Sequence, residues 1–97
     1  IIRRRQRHHA TDAAAQTRQA LAQTAAALAR RMVPGALQRK PCESWDGWLS
    51  RIGSELPPAR RDELAEWIES YQQLRYRATL DPAAARDWIA AARRAGR

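Results

Sequence analysis

Phenylalanine is absent from this chain, lysine and cysteine occur once each, and no apolar run approaches the ~20 residues that a membrane-spanning helix needs. Each shortage excludes something. A lone cysteine, Cys42, rules out an internal disulfide and suits a reducing compartment. The short apolar runs exclude a complete span and a secretory leader. β-Branched residues are few and alanine is abundant, so local propensity opposes sheet and favours helix throughout. With 97 residues the chain has room for one domain and one modest core. The expected fold is an all-α bundle of about four helices: a long N-terminal alanine-rich helix, then one short and two longer helices that carry tryptophan.

Acidic residues are also missing from the first part of the chain. Residues 1–40 hold Arg3, Arg4, Arg5, Arg7, Arg18, Arg30, Arg31, Arg39 and Lys40 against Asp12 alone, whereas residues 41–97 hold nine arginines and nine acids. The whole net charge of +8 therefore belongs to the N-terminal part. Two isoleucines followed by Arg3, Arg4, Arg5 and Arg7 resemble the cytoplasmic end of a membrane-spanning helix, where arginines fix orientation and meet anionic headgroups. No Met precedes Ile1, and the chain reads as cut from something longer. The expected organisation is a membrane-proximal basic segment at 1–10 and a single helical domain at 11–97. A basic excess equally suits phosphate neutralisation on nucleic acid. Against that, Trp45, Trp48, Trp67, Tyr71, Tyr76 and Trp88 all lie in the neutral part, while single-strand readers place stacking rings inside the basic groove.

Periodicity places the elements. The first helix starts near Thr11 or Asp12, either of which can cap it, or continues unbroken from a membrane; Leu21, Ala25, Leu28 and Met32 form its apolar stripe, and Pro34-Gly35 ends it. A second, short helix fits Trp45 to about Gly53, capped by Ser44, with Trp45, Trp48, Leu49 and Ile52 on one face. Pro57-Pro58 separates it from a third helix that buries Leu64, Trp67 or Ile68, Tyr71 and Leu74 and runs to about Arg77 or Ala78. Asp81 and Pro82 open a fourth, with Ala85, Trp88, Ile89 and Ala92 inward and Gly96 suited to a left-handed cap.

Two stretches carry a family resemblance. Arg39-Lys40-Pro41-Cys42-Glu43-Ser44 followed by Trp48-Leu49, and Tyr71-Gln72-Gln73-Leu74-Arg75-Tyr76 further on, resemble the C-terminal domain of bacterial membrane-anchored transglutaminase-like proteins of the TgpA type. In that family an arginine-rich helix follows the last span, a segment like Arg-x-Pro-Gly-Glu-Thr opens a short helix, and a longer helix ends in Tyr-x-x-x-Arg-Tyr. The similarity runs in order along most of the chain. Cys42 stands where the family has glycine, and Trp45 where proline is common. The resemblance implies a parent with several spans, an extracytoplasmic Cys-His-Asp domain acting as a protein-glutamine gamma-glutamyltransferase, one more span, and this domain on the cytoplasmic face of the bacterial inner membrane. The motif-like positions are Arg39, Pro41, Glu43, Ser44, Trp48, Leu49, Tyr71, Arg75 and Tyr76.

Nothing in the chain itself spells catalysis. Cys42 precedes a helix, a place that can activate a thiol, but the only histidines, His8 and His9, sit in a basic segment with no apolar stripe to hold them; the residue reads as structural, with a catalytic or regulatory thiol as the alternatives. Adjacent histidines point about 100° apart on a helix, unlike an i, i+4 metal pair, so no metal and no cofactor are expected. The tryptophans read as core, against a ligand pocket. Arg39, Glu43, Arg75 and Tyr76 are expected to pair and lock the second helix to the end of the third, or else to form a docking patch for a cytoplasmic protein. The function expected is a non-catalytic accessory or regulatory domain. It contacts the inner membrane through an upstream helix and anionic lipid through Arg3, Arg4, Arg5 and Arg7. The alternatives are a basic nucleic-acid-binding module and a soluble protein–protein adaptor.

Overall fold

Alanine-rich sequence with no proline before Pro34 gives a single unbroken first helix. The computed structural model describes residues 2–95, with side chains from Asp12 onward. Its elements are α1 (Ile2–Met32), α2 (Trp45–Ile52), α3 (Pro58–Arg75) and α4 (Pro82–Arg94), with 3-10 turns at Gly35–Leu37 and Gly53–Glu55 and no strand among the described residues. The cap expected at Thr11 or Asp12 is not used, because the helix passes through both positions without a break. Residues 2–10 thus share one backbone rod with the domain. The left-handed cap expected at Gly96 lies outside the described residues.

The remaining boundaries follow from identifiable side chains. Val33 and Pro34 end α1, and the side-chain amide of Gln38 folds back to donate to the Val33 carbonyl at 2.7 Å, a group the helix leaves unpaired, and to the Pro34 carbonyl at 3.3 Å, which also accepts from the Leu37 amide at 2.9 Å. Ser44 caps α2 by accepting from the Gly47 amide at 3.0 Å. Pro58 occupies the first turn of α3, where its missing N–H costs nothing. That helix stops at Arg75, two or three residues short of the expected end at Arg77 or Ala78. Asp81 caps α4 by accepting from the amides of Ala83 and Ala84 at 3.1 and 3.2 Å.

One apolar cluster unites the four helices. From α1 come Leu21, Ala25, Leu28, Ala29 and Met32; from α2, Trp48 and Ile52; from α3, Leu64, Ile68 and Tyr71; from α4, Ala85, Trp88 and Ala92. Trp45, Leu49, Trp67, Leu74 and Ile89 are half-buried against it. The helices α3 and α4 pack on α1, and α2 packs on α3. Arg18 reaches the Arg77 carbonyl and Arg31 reaches the Ala92 carbonyl at 2.8 Å, so α3 runs antiparallel to α1 and α4 runs parallel to it. Among the described side chains the buried stripe begins at Leu21, and the N-terminal part of α1 projects beyond the bundle. A Cα radius of gyration of 15.5 Å and a long dimension of 55 Å record that projection, since a compact chain of this length has a radius of about 12–13 Å.

Candidate functional site

The two motif-like stretches meet through rings. Trp45 stands edge-on to Trp48 at 5.8 Å and to Tyr71 at 5.6 Å, Tyr71 meets Trp88 at 5.7 Å, and Trp88 meets Trp67 edge-on at 5.6 Å. Five of the six aromatics therefore form one connected chain through the core. Edge-to-face contacts of this kind add about 0.5–1.5 kcal/mol each beyond area burial. The two buried indoles are satisfied: Trp48 Nε1 donates to the Leu37 carbonyl at 2.8 Å, and Trp88 Nε1 donates to Ser70 Oγ at 2.9 Å. The cavity bounded by Ala25, Leu28, Trp45, Trp67, Tyr71 and Trp88 holds about 10 Å³, about the space of one water. The rings fill the core and leave no ligand pocket there.

The linker before α2 is a compact clamp. Pro41 and Cys42 are the central residues of a turn closed by the Glu43 amide on the Lys40 carbonyl at 3.1 Å, and Cys42 takes φ 65°. Proline at the second position with a positive φ at the third defines a type II turn, whose third position favours glycine. Glu43 then binds Arg51 with both oxygens, at 2.8 Å from Nε and 2.8 Å from Nη2, and accepts from the Lys40 amide at 3.0 Å. The Arg51 hydrogen bonds, followed by the Lys40 amide, hold the Glu43 carboxyl down at about 2. Arg39 lies 4.2 Å above the Trp45 ring and donates to the Glu43 carbonyl at 2.8 Å.

The expected charge lock between α2 and the end of α3 takes a different form. Glu43 pairs with Arg51 of the helix that follows it and not with Arg75, because Arg75 points toward α1 and donates to the Arg18 carbonyl at 3.1 Å. Tyr76 is 68% exposed, with the Arg75 guanidinium 5.6 Å from its ring centre. What joins the two motifs is Trp45 against Tyr71. Burial pushes the Tyr71 hydroxyl above its ordinary pKa, with the Arg75 charge opposing. Pro41 and Cys42 are exposed, Ser44 serves as a cap, Trp48 is core and Leu49 is half-buried.

The side chains of Arg3, Arg4, Arg5, Arg7, His8 and His9 lie outside the described residues. Among the described residues no group of three or more histidines, cysteines or carboxylates converges on a metal-sized space. Arg51, Arg31 and Arg18 were not singled out by the sequence, yet each ties distant backbone together. Arg51 sits eight residues beyond Glu43, across a helix start, a spacing that no simple periodicity marks. No protein-family model, curated protein or solved structure matches the chain.

Proposed function

We propose that this chain is a non-catalytic accessory or regulatory domain on the cytoplasmic face of a bacterial inner membrane. It is joined by an upstream transmembrane helix to a protein whose extracytoplasmic part is transglutaminase-like. The observation that carries the reading is the segregation of charge: all of the +8 excess lies in residues 1–40, and that stretch begins on a helix that continues without interruption into the bundle. A continuous rod would transmit the position and tilt of a membrane span to the bundle. No helix of the described residues is itself long and apolar enough to cross a membrane, so the anchor is assigned upstream. The resemblance of Arg39 to Leu49 and of Tyr71 to Tyr76 to the TgpA type supports the parent assignment.

Nucleic-acid binding uses the same charge but finds a single exposed ring, Tyr76, because Trp48, Tyr71 and Trp88 are buried and Trp45 and Trp67 are half-buried against the same core. Sedimentation with phosphatidylglycerol vesicles tests the reading. Each arginine near an anionic surface contributes about 1 kcal/mol, less in salt, so changing Arg3, Arg4, Arg5 and Arg7 to Gln should remove most binding. Equal binding by that variant would exclude the N-terminal cluster as the lipid contact.

A further inference from the structure

Behind the projecting part of α1, a second basic surface lies on the end of the bundle that faces the N-terminus. The segment between α3 and α4 closes a groove of about 700 Å³ against α1, with Ala14, Thr17, Leu80 and Pro82 among its walls and Arg18 and Arg86 on its rim. Arg75 and Arg77 adjoin it: Arg75 donates to the Arg18 carbonyl, and Arg18 donates to the Arg77 carbonyl at 3.5 Å. These four arginines come from three helices and a connecting segment, and the sequence gives no hint that they converge. Among the described residues none of the four is ion-paired with a carboxylate. The nearest acid of that segment, Asp81, is committed to capping α4.

We infer that this arginine-rimmed groove is a second contact for anionic phospholipid headgroups, which docks the bundle onto the membrane surface and sets its tilt. The inference rests on the membrane reading above and adds a site to it. The charge asks for an anionic occupant. The aliphatic walls suit the glycerol and upper chain region of a lipid better than bases, and the one exposed ring nearby, Tyr76, is not among the residues that line the groove. Reach is adequate: eleven residues of helix separate Ile2 from Ala13, about 16 Å at 1.5 Å per residue, a distance that helix tilt and extended arginine side chains close.

The test uses the whole chain with vesicles of phosphatidylglycerol in phosphatidylcholine. Arg77 and Arg86 are exposed and among the described residues hold no partner through their side chains, so Arg77→Gln with Arg86→Gln should leave the thermal midpoint unchanged. Vesicle affinity should fall about tenfold. A polarity-sensitive fluorophore on Ala78→Cys, in a Cys42→Ser background, should shift to shorter wavelength on vesicles. The same label on Ser54→Cys, in the 3-10 turn before α3 at the opposite end of the bundle, should not. If the double variant binds like the parent while the Arg3, Arg4, Arg5, Arg7 variant loses binding, the groove inference fails and the membrane reading stands. If the parent itself ignores anionic vesicles, both fail. Tighter binding to duplex DNA than to vesicles, lost in the double variant, would assign the groove to nucleic acid and overturn the lipid inference.

Discussion

Cys42 occupies a position built for glycine, and replacing it should stabilise the protein. Its φ of 65° lies in the left-handed region, which costs a residue with a Cβ roughly 1–2 kcal/mol. Glycine removes that cost but loses more freedom on folding, an offset of about 0.4–1 kcal/mol. The thiol is exposed, so no packing is forfeited. The balance for Cys42→Gly is a gain of about 0.5–1 kcal/mol, which corresponds to a rise of about 2–8 °C in Tm for a domain this small. Cys42→Ala is the control, since it removes the sulfur and keeps the Cβ. Urea unfolding of the three chains under reducing conditions should place the Cys42→Gly midpoint above the other two with an unchanged slope. A Cys42→Gly midpoint at or below that of Cys42→Ala would refute the turn assignment.

Trp48→Ala should cost about 3–5 kcal/mol, because Trp48 is fully buried and its loss also strips the Leu37 carbonyl of its donor; a denaturant midpoint close to the parent's would contradict this. Glu43 supplies a pH dependence: its folded carboxyl sits at about 2 against an ordinary 4.5, so its contribution is complete above pH 4.5 and disappears as pH falls toward 2. The stability gap between the parent and Glu43→Gln should therefore close across that window, and a gap independent of pH would show that the Arg51 pair contributes nothing through ionisation. The isolated chain should incorporate no amine into a glutamine donor, with or without Cys42→Ala, because acyl transfer needs a thiolate, a positioned base and oxyanion donors. Activity that vanishes with the thiol would overturn the non-catalytic assignment.

Periodicity located the core well, for a physical reason. Leu21, Ala25, Leu28 and Met32 repeat at helical spacing, and so do Trp48 with Ile52, and Leu64, Ile68 and Tyr71; each set is buried as a face. The caps at Ser44 and Asp81 were equally legible, since their chemistry is local. Thr11 and Asp12 left two readings open, a start there or an unbroken helix, and the helix runs on because a good capping residue is also tolerated inside an alanine-rich helix and nothing described before them stops it. The arginine contacts were illegible. Arg31 to Ala92, Arg75 to Arg18 and Arg18 to Arg77 join residues some sixty positions apart, and they depend on how α3 and α4 lie against α1, which no local pattern encodes. The Glu43–Arg51 pair went unread for a related reason: the motif offered Arg39 and Arg75 as partners for the carboxylate, and the turn at Pro41-Cys42 instead aims it at Arg51, which lies outside the motif.

The central claim is that this bundle hangs from a membrane on its cytoplasmic side, and topology in the native host tests it most directly. An epitope tag after Arg97 of the full-length protein should remain in the membrane fraction through alkaline carbonate extraction. It should resist protease in intact spheroplasts and be cleaved in inverted inner-membrane vesicles. Recovery of the tagged protein in the soluble fraction, or cleavage of the tag in intact spheroplasts, would contradict the account.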